Sequence, residues 1–133
     1  MSEYVVDASA AVEALSGKDA VGIALRTRIT QSTCHAPHLI DAEVGHTLRR
    51  AVYRDEIKEE TALIGLHALP SIIAHRYPQT KDMSNRAWTL RHTVTFYDGL
   101  YVALATVLNL PLLTADARLS KASGLTCQVE LIG

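Results

Sequence analysis

The sequence predicts an α/β protein, a three-layer α/β/α sandwich on a central parallel sheet. Short apolar runs alternate with segments of helical periodicity, as in parallel strands joined by helices. The segment Tyr97–Asn109 is apolar nearly all round, which is typical of a helix buried between layers. The 133 residues are 48% hydrophobic. That is enough for one core and too little for two, so we expect a single domain over residues 1–133.

Five short apolar or β-branched segments are the expected strands. They are Tyr4–Val6, Thr33–Ala36, Ser71–Ala74, Leu110–Thr114 and Gln128–Ile132. The clearest helix is Leu39–Arg54, where an apolar residue recurs at every fourth position and forms one buried stripe. We expect Pro70 to end the helix before it. The other helices are expected at 7–13, 19–28, 57–69, 81–91, 97–109 and 116–123.

Composition excludes several classes of protein. No stretch approaches the roughly 18 apolar residues of a membrane span, and the first residues lack a signal-peptide pattern, so we expect a cytoplasmic protein. Cys34 and Cys127 lack ligand-like spacing and are expected to be reduced, buried thiols. The net charge of −1 argues against a protein that coats nucleic acid by charge alone. If four of the 14 acidic residues bind metal, 13 basic residues face 10 acidic ones, and a nucleic-acid substrate is tolerated.

Four acidic residues fall at one end of the expected sheet. Asp7 directly follows the first strand, and Asp116 follows the fourth after one intervening residue. Glu43 lies early in the long helix, at the edge of its apolar stripe, and Asp98 lies in the first turn of the buried helix. The carboxyl ends of parallel strands are where functional groups gather. The pattern therefore predicts a shared acidic site.

Each acid also has a purely structural interpretation. Asp7 and Asp116 are suited to N-cap the helices that they precede. Thr95 and Asp98 fit a capping box, and Glu43 is favoured by the helix dipole. Taken together, however, four nearby carboxylates repel one another and need a neutralising partner. Oxygen-only ligands suit Mg²⁺ or Mn²⁺, ions that promote phosphodiester cleavage.

These residues, in this order, resemble the PIN-domain nucleases, and in particular the VapC toxins of bacterial toxin–antitoxin pairs. The resemblance covers nearly the whole chain and rests on four segments: Val5–Ser9, His38–Val44, Phe96–Ala105 and Leu112–Leu119. One departure is Gly99, where alanine would favour the helix more.

The resemblance implies a metal-dependent endoribonuclease. Asp7, Glu43, Asp98 and Asp116 match the family's catalytic and metal-binding acids, with Mg²⁺ or Mn²⁺ as cofactor and a metal-activated water as nucleophile on RNA. Ser9 and Thr114 match hydroxyl positions beside the site. The family's usual partner is a cognate antitoxin protein, and the usual assembly is a homodimer. Two alternatives stay open: a catalytically inactive RNA-binding module and a DNA nuclease.

Other residues are weaker candidates for the site. Asp41 is the main rival of Glu43, because it lies nearer the start of the same helix. His35 and His38 flank a proline and are expected on the surface or in a loop, whereas His46 has a minor chance of facing the site. Trp88 and Tyr101 are expected in the core. A basic run on the long helix is equally compatible with a solvated face and with RNA phosphate contacts; it comprises Arg49, Arg50 and Arg54.

Two rival enzyme classes lack their motifs. A haloacid-dehalogenase-like phosphatase needs a second aspartate two residues after Asp7, and Ser9 stands there. A receiver domain needs an acidic pair ahead of its phospho-acceptor, and the sequence has none in that context.

Overall fold

The sheet in the computed structural model, which describes residues 2–132, has five strands that all run parallel. They are β1 (Glu3–Val6), β2 (Thr33–Pro37), β3 (His75–Tyr77), β4 (Leu112–Thr114) and β5 (Val129–Leu131). Their order across the sheet is β3–β2–β1–β4–β5. The chain builds outward from β1 on one side and then continues on the other, so the direction of winding reverses between β1 and β4. A crevice forms at the carboxyl ends of the strands at such a reversal.

Helices cover the sheet and confirm the predicted α/β/α fold. Val5 and Val6 are adjacent in β1 and both fully buried, and since neighbouring strand residues point to opposite faces, both faces are covered. On one side α1 packs with its three following helices, and on the other α6 lies against β1, β2 and β4 with α5 behind it. In the described chain the helices are α1 (Ala8–Ser16), α2 (Ala20–Thr30), α3 (Leu39–Tyr53), α4 (Glu59–Ile72), α5 (Lys81–Thr89), α6 (Phe96–Leu108) and α7 (Ala117–Lys121).

The end of α4 contradicts the sequence prediction. The helix continues through Pro70 to Ile72, so the strand expected at Ser71–Ala74 is wrong, and β3 begins only at His75. A proline close to the end of a helix removes one hydrogen bond, and the last turn still closes through Ile73 N to Leu69 O at 3.3 Å. The two isoleucines that suggested a strand instead pack against the core from the helix end.

Two aromatic side chains lie where the sequence did not place them. Trp88 is 61% exposed rather than in the core, because α5 turns Met83 and Ala87 inward and leaves Trp88 on its outer side. His35, expected in a loop or on the surface, is buried within β2. Its ring nitrogens are hydrogen-bonded to Glu3 and Tyr77, which explains how a polar side chain is tolerated there.

Gly99 allows α5 and α6 to approach closely. A Cβ atom at this position would lie 3.0 Å from both the Cα and the Cβ of Ala87. The glycine that departs from the best helix former therefore has a packing reason. The contact fixes the position of the α6 N-terminus, which carries Asp98.

The two cysteines are free thiols, as predicted, although only Cys34 is fully buried and Cys127 is half-buried. Burial raises the pKa of each thiol to about 11. None of the helices within residues 2–132 combines the length and apolarity needed to cross a membrane.

Candidate active site

Asp7 is held rigidly at the carboxyl end of β1. It is only 4% exposed and N-caps α1, accepting a hydrogen bond from Ala10 N at 2.9 Å. Ser9 Oγ donates to its Oδ1 at 2.7 Å, and Thr114 Oγ1 donates to its Oδ2. Its predicted capping role and its place among the four acids are therefore both realised by one side chain.

The two hydroxyl groups beside Asp7 are oriented by the backbone of the turn after β4. Ser9 Oγ accepts from Ala115 N at 2.9 Å, and Thr114 Oγ1 accepts from Asp116 N at 3.0 Å. Each hydroxyl therefore directs its single hydrogen to the carboxylate of Asp7. Burial nevertheless raises the pKa of Asp7 by more than these bonds lower it, and the charge of Asp98 raises the pKa further.

Glu43 lies in the second turn of α3, and its carboxylate has fewer hydrogen-bond partners than that of Asp7. Its Oε1 is buried and has no hydrogen-bond partner in the described chain, and the same is true of the hydroxyl of Tyr101 beside it. Burial raises the pKa of Glu43, and the charges of Asp98 and Asp7 reinforce the effect. The Tyr101 hydroxyl lies near enough to lower this pKa in part, although the two groups lack the geometry of a hydrogen bond. Burial and the neighbouring acids raise the pKa of Tyr101 as well. An orphaned buried carboxylate oxygen calls for a partner.

Asp98 and Asp116 complete the group from α6 and α7. The Thr95 half of the predicted capping box is confirmed, since Asp98 N donates to Thr95 Oγ1 at 3.1 Å. Burial raises the pKa of Asp98, and the charge of Asp116 adds to this, while Thr95 and Arg118 act in the opposite direction. Asp116 N-caps α7 through Arg118 N at 2.9 Å.

The four acids line one cavity of about 170 Å³, called here the acid cavity. Its acids are Asp7 and Asp116, the N-caps of α1 and α7, together with Glu43 of α3 and Asp98 of α6, and Ser9 lies at its wall. Within residues 2–132, no three Asp, Glu, His or Cys side chains converge closely enough to hold an ion as they stand. The donor set still fits a hard divalent cation, because it consists of carboxylate oxygens and includes the unpartnered Glu43 Oε1.

The rivals of Glu43 lie elsewhere. Asp41 makes a two-pronged ion pair with Arg76, at 2.7 and 2.9 Å, and His46 is exposed and does not line the acid cavity. The basic run of α3 is also separate. Arg49 lies over the ring of Tyr53 in a groove between α3 and α4, and neither of the other two arginines lines the acid cavity.

Several lining residues were not anticipated. Thr47 and Tyr101 line the acid cavity one turn after Glu43 and Asp98, a spacing that would have indicated them. A second cavity of about 380 Å³ adjoins it and shares Asp98 and Asp116. We call this second cavity the basic cleft, and its other polar walls are Arg91, His92, Thr93, Thr95 and Arg118. These residues lie just before Asp98 or just after Asp116 in the sequence, and this proximity could have indicated them.

Comparison with known proteins assigns the family. The family model described as "PIN domain" matches residues 4–125. The chain is 57% identical over 132 residues to Ribonuclease VapC1 of Mycobacterium tuberculosis, covering 99% of each chain. The chain belongs to the VapC family of PIN-domain ribonucleases.

Solved structures of VapBC proteins share the fold of this VapC-family chain. VapBC2 from Rickettsia felis, bound to a DNA fragment from its promoter, matches with a TM-score of 0.70 and 14% identity, over 98% of this chain and 99% of the other. VapBC-5 of M. tuberculosis, described as a member of the VapBC family of toxin–antitoxin systems, matches with a TM-score of 0.62 and 20% identity, over 99% and 98%.

Proposed function

We propose that this chain is the toxin of a toxin–antitoxin pair and a divalent-metal-dependent endoribonuclease. The observation that carries the proposal is the acid cavity, which four carboxylates line and in which Glu43 Oε1 is buried without a hydrogen-bond partner in the described chain. Asp7, Glu43, Asp98 and Asp116 would hold Mg²⁺ or Mn²⁺. When bound, such an ion neutralises the carboxylates, activates a water molecule and stabilises charge on a phosphoryl oxygen.

The protein residues around the ion have different tasks. Asp7 is fixed by three hydrogen bonds, so Ser9 and Thr114 hold one ligand in place before the ion arrives. Glu43 keeps an oxygen free to turn inward. Asp98 and Asp116 lie where the acid cavity meets the basic cleft, so they face the side from which a substrate phosphate would enter.

Single-stranded or looped RNA is the proposed substrate. The 57% identity to a protein named as a ribonuclease supports RNA, and a 133-residue chain is too small to enclose a duplex. A flexible strand can be drawn into a small cavity, whereas a stacked duplex cannot. With water rather than the ribose 2′-hydroxyl as nucleophile, the products would carry 5′-phosphate and 3′-hydroxyl ends.

A cognate antitoxin is the proposed protein partner, since VapBC-5 is described as belonging to toxin–antitoxin systems. We further propose a homodimer that acts in the cytoplasm. An antitoxin arginine or lysine placed among the acids would neutralise them in place of the cation. Expression of the wild-type chain alone should then arrest bacterial growth, and co-expression of the antitoxin should relieve the arrest. Unimpeded growth with abundant folded protein would contradict the toxin assignment.

The catalytic proposal is tested by mapping RNA ends. Total RNA is incubated with purified protein and Mg²⁺ or Mn²⁺, and new ends are sequenced. Discrete 5′-phosphate ends should appear with wild type and with Asp19→Asn, a control that replaces an N-cap aspartate of α2 outside the cavity. They should be absent with Asp98→Asn.

Other outcomes separate the alternatives. Cyclic-phosphate ends would contradict the water mechanism. Equal cleavage of single-stranded DNA of matching sequence would indicate a DNA nuclease. RNA binding without cleavage under both metals would indicate an inactive binding module.

A further inference from the structure

We propose that the basic cleft is a second RNA subsite, which binds the backbone and an unpaired base next to the bond that is cut. The inference rests on the proposed ribonuclease function and extends it to a further set of residues. Arg91, Arg118 and Trp88 are the residues to which it assigns a role in RNA binding.

The basic cleft lies directly beside the acid cavity. Asp98 and Asp116 belong to both cavities, so a strand whose scissile phosphate lies at the acids must continue into a neighbouring space. The basic cleft is that space, and at about 380 Å³ it is more than twice as large as the acid cavity at about 170 Å³. Its size suits part of a nucleotide rather than an ion alone.

The basic cleft contains two arginines that make no close ion pair in the described chain. Arg91 has no carboxylate partner in the described chain, unlike Arg76 and Arg86, which each pair with an aspartate. The Arg118 side chain is 93% exposed and has only a distant contact, at 3.6 Å, with Asp116. Two cations with unused hydrogen-bond donors therefore border the acids, and guanidinium groups bind phosphate in two-pronged fashion.

An aromatic ring lies beneath Arg91. The guanidinium carbon of Arg91 lies 5.0 Å from the centre of the Trp88 ring, and Arg91 Nη1 donates to Trp88 O at 3.0 Å. The arginine, which lines the cleft, is thereby held against the exposed indole. Unpaired RNA bases stack on aromatic rings and on guanidinium planes.

RNA fits this combination better than a protein segment does. An acidic peptide would pair with the two arginines but would leave the exposed indole of Trp88 without a matching group, and Asp98 and Asp116 would repel it. A single strand of RNA supplies both parts, phosphates for the arginines and a base for the arginine–tryptophan pair. The same strand reaches the acids, where the bound cation offsets the repulsion.

The test is RNA binding without catalysis. Fluorescence anisotropy measures binding of a short fluorescein-labelled oligouridylate with Ca²⁺ in place of Mg²⁺, so that the acids are neutralised while cleavage is poorly supported. The measurement is repeated over a series of salt concentrations, with the integrity of the probe checked on a gel. Arg91→Ala should weaken binding about 10-fold. It should also reduce the slope of log affinity against log salt concentration by about one, the value expected for one phosphate contact. Trp88→Ala should weaken binding by a similar factor of about 10 with the salt dependence unchanged.

Matched variants separate the subsite from general charge and folding. Arg86→Ala removes a cation from α5, the helix that carries Trp88 and precedes Arg91, at a position outside the cleft, and should change binding less than about 2-fold. Trp88→Phe should recover most of the affinity, because it keeps an aromatic face. Arg91→Lys should recover the salt dependence but only part of the affinity, because it keeps the charge and loses the planar group.

The contradicting outcomes are distinct from those of the proposed function. Equal binding by wild type, Arg91→Ala and Trp88→Ala would overturn the subsite even if wild type cuts RNA. So would RNA binding that is unaffected while binding of a labelled polyglutamate peptide depends on Arg91, since the cleft would then belong to a protein partner. If RNA is bound through these residues but never cut, the subsite stands and the catalytic proposal fails.

Discussion

The acid cavity and the basic cleft adjoin but are built in opposite ways. The acid cavity holds one buried carboxylate, Asp7, and half-buried ones; the pKa values of Asp7, Glu43 and Asp98 are raised by burial and by neighbouring acids. The basic cleft carries exposed guanidinium groups, such as that of Arg118, which lose little of their hydration when the chain folds. Charge that is buried for function opposes folding, whereas exposed charge does not. We therefore expect substitutions of the four acids to alter both catalysis and stability, and substitutions of Arg91 or Arg118 to alter RNA binding without altering stability.

The largest expected effect is the loss of cleavage when an acid is neutralised. Asp7→Asn, Glu43→Gln, Asp98→Asn and Asp116→Asn should each reduce RNA cleavage about 100-fold or more, because even residues that only support metal ligands are worth about 10- to 100-fold. Initial rates on a labelled RNA measure this, with Asp19→Asn as the control. Two or more of the four variants cutting at wild-type rates would refute the shared role of the acids.

A smaller effect is expected at the contact between α5 and α6, which positions both cavities. Gly99→Ala should lower the free energy of unfolding by about 1–2 kcal/mol, because overpacking outweighs the better helix propensity. Gly45→Ala in α3 is the matched control, since its Cβ would have only Leu66 nearby, at 3.8 Å, and it should be neutral or stabilising. Denaturant unfolding gives both values. Equal gains in both variants would show that the α5–α6 contact is not tight.

The pH dependence of stability should differ between the two regions. A carboxyl whose pKa is raised by folding contributes stability that is present below its unfolded pKa and is lost as the pH rises through the folded pKa. Asp7, Glu43 and Asp98 are such groups. In chelator, Asp98→Asn should therefore melt a few degrees above wild type at neutral pH, and the gap should close toward pH 4. Arg91→Ala should show no such pattern. If the difference in melting temperature between Asp98→Asn and wild type widened toward low pH, folding would not raise the pKa of Asp98.

The smallest effect is expected at Tyr101. Its buried hydroxyl makes no hydrogen bond of normal geometry, so Tyr101→Phe should change the free energy of unfolding by less than about 1 kcal/mol. Thermal melts in chelator measure this. A loss of several kcal/mol would show that the hydroxyl is bonded to Glu43 in solution.

The sequence could predict the parts of the site that local pattern controls. Asp7 and Asp116 follow directly from the ends of β1 and β4, and the α6 cap is visible in the spacing of Thr95 and Asp98. The choice between Glu43 and Asp41 could not be made locally, since it depends on Arg76, 35 residues further along the chain from Asp41. The resemblance, not the pattern, selected Glu43.

Tertiary contacts also explain where the sequence pattern misplaced a strand and an aromatic side chain. Ile72 and Ile73 have strand propensity, but tertiary packing keeps Ile72 in α4 and sets Ile73 at its C-cap. Trp88 is apolar, but the close approach of α5 to α6 at Gly99 turns it outward. The basic cleft combines segments that are distant in sequence and has no periodicity to reveal it. The single domain, the metal and the roles of Arg49, Arg50 and Arg54 stay predictions.

The most direct test of the central claim is cation binding at the acid cavity. Mn²⁺ is titrated calorimetrically into metal-free wild type, Asp98→Asn and Asp19→Asn. Wild type and Asp19→Asn should bind Mn²⁺ with the same affinity, and Asp98→Asn should bind at least about 10-fold more weakly. Equal affinity in Asp98→Asn, or cleavage of RNA by wild type in excess chelator, would contradict a cation site formed by these four acids.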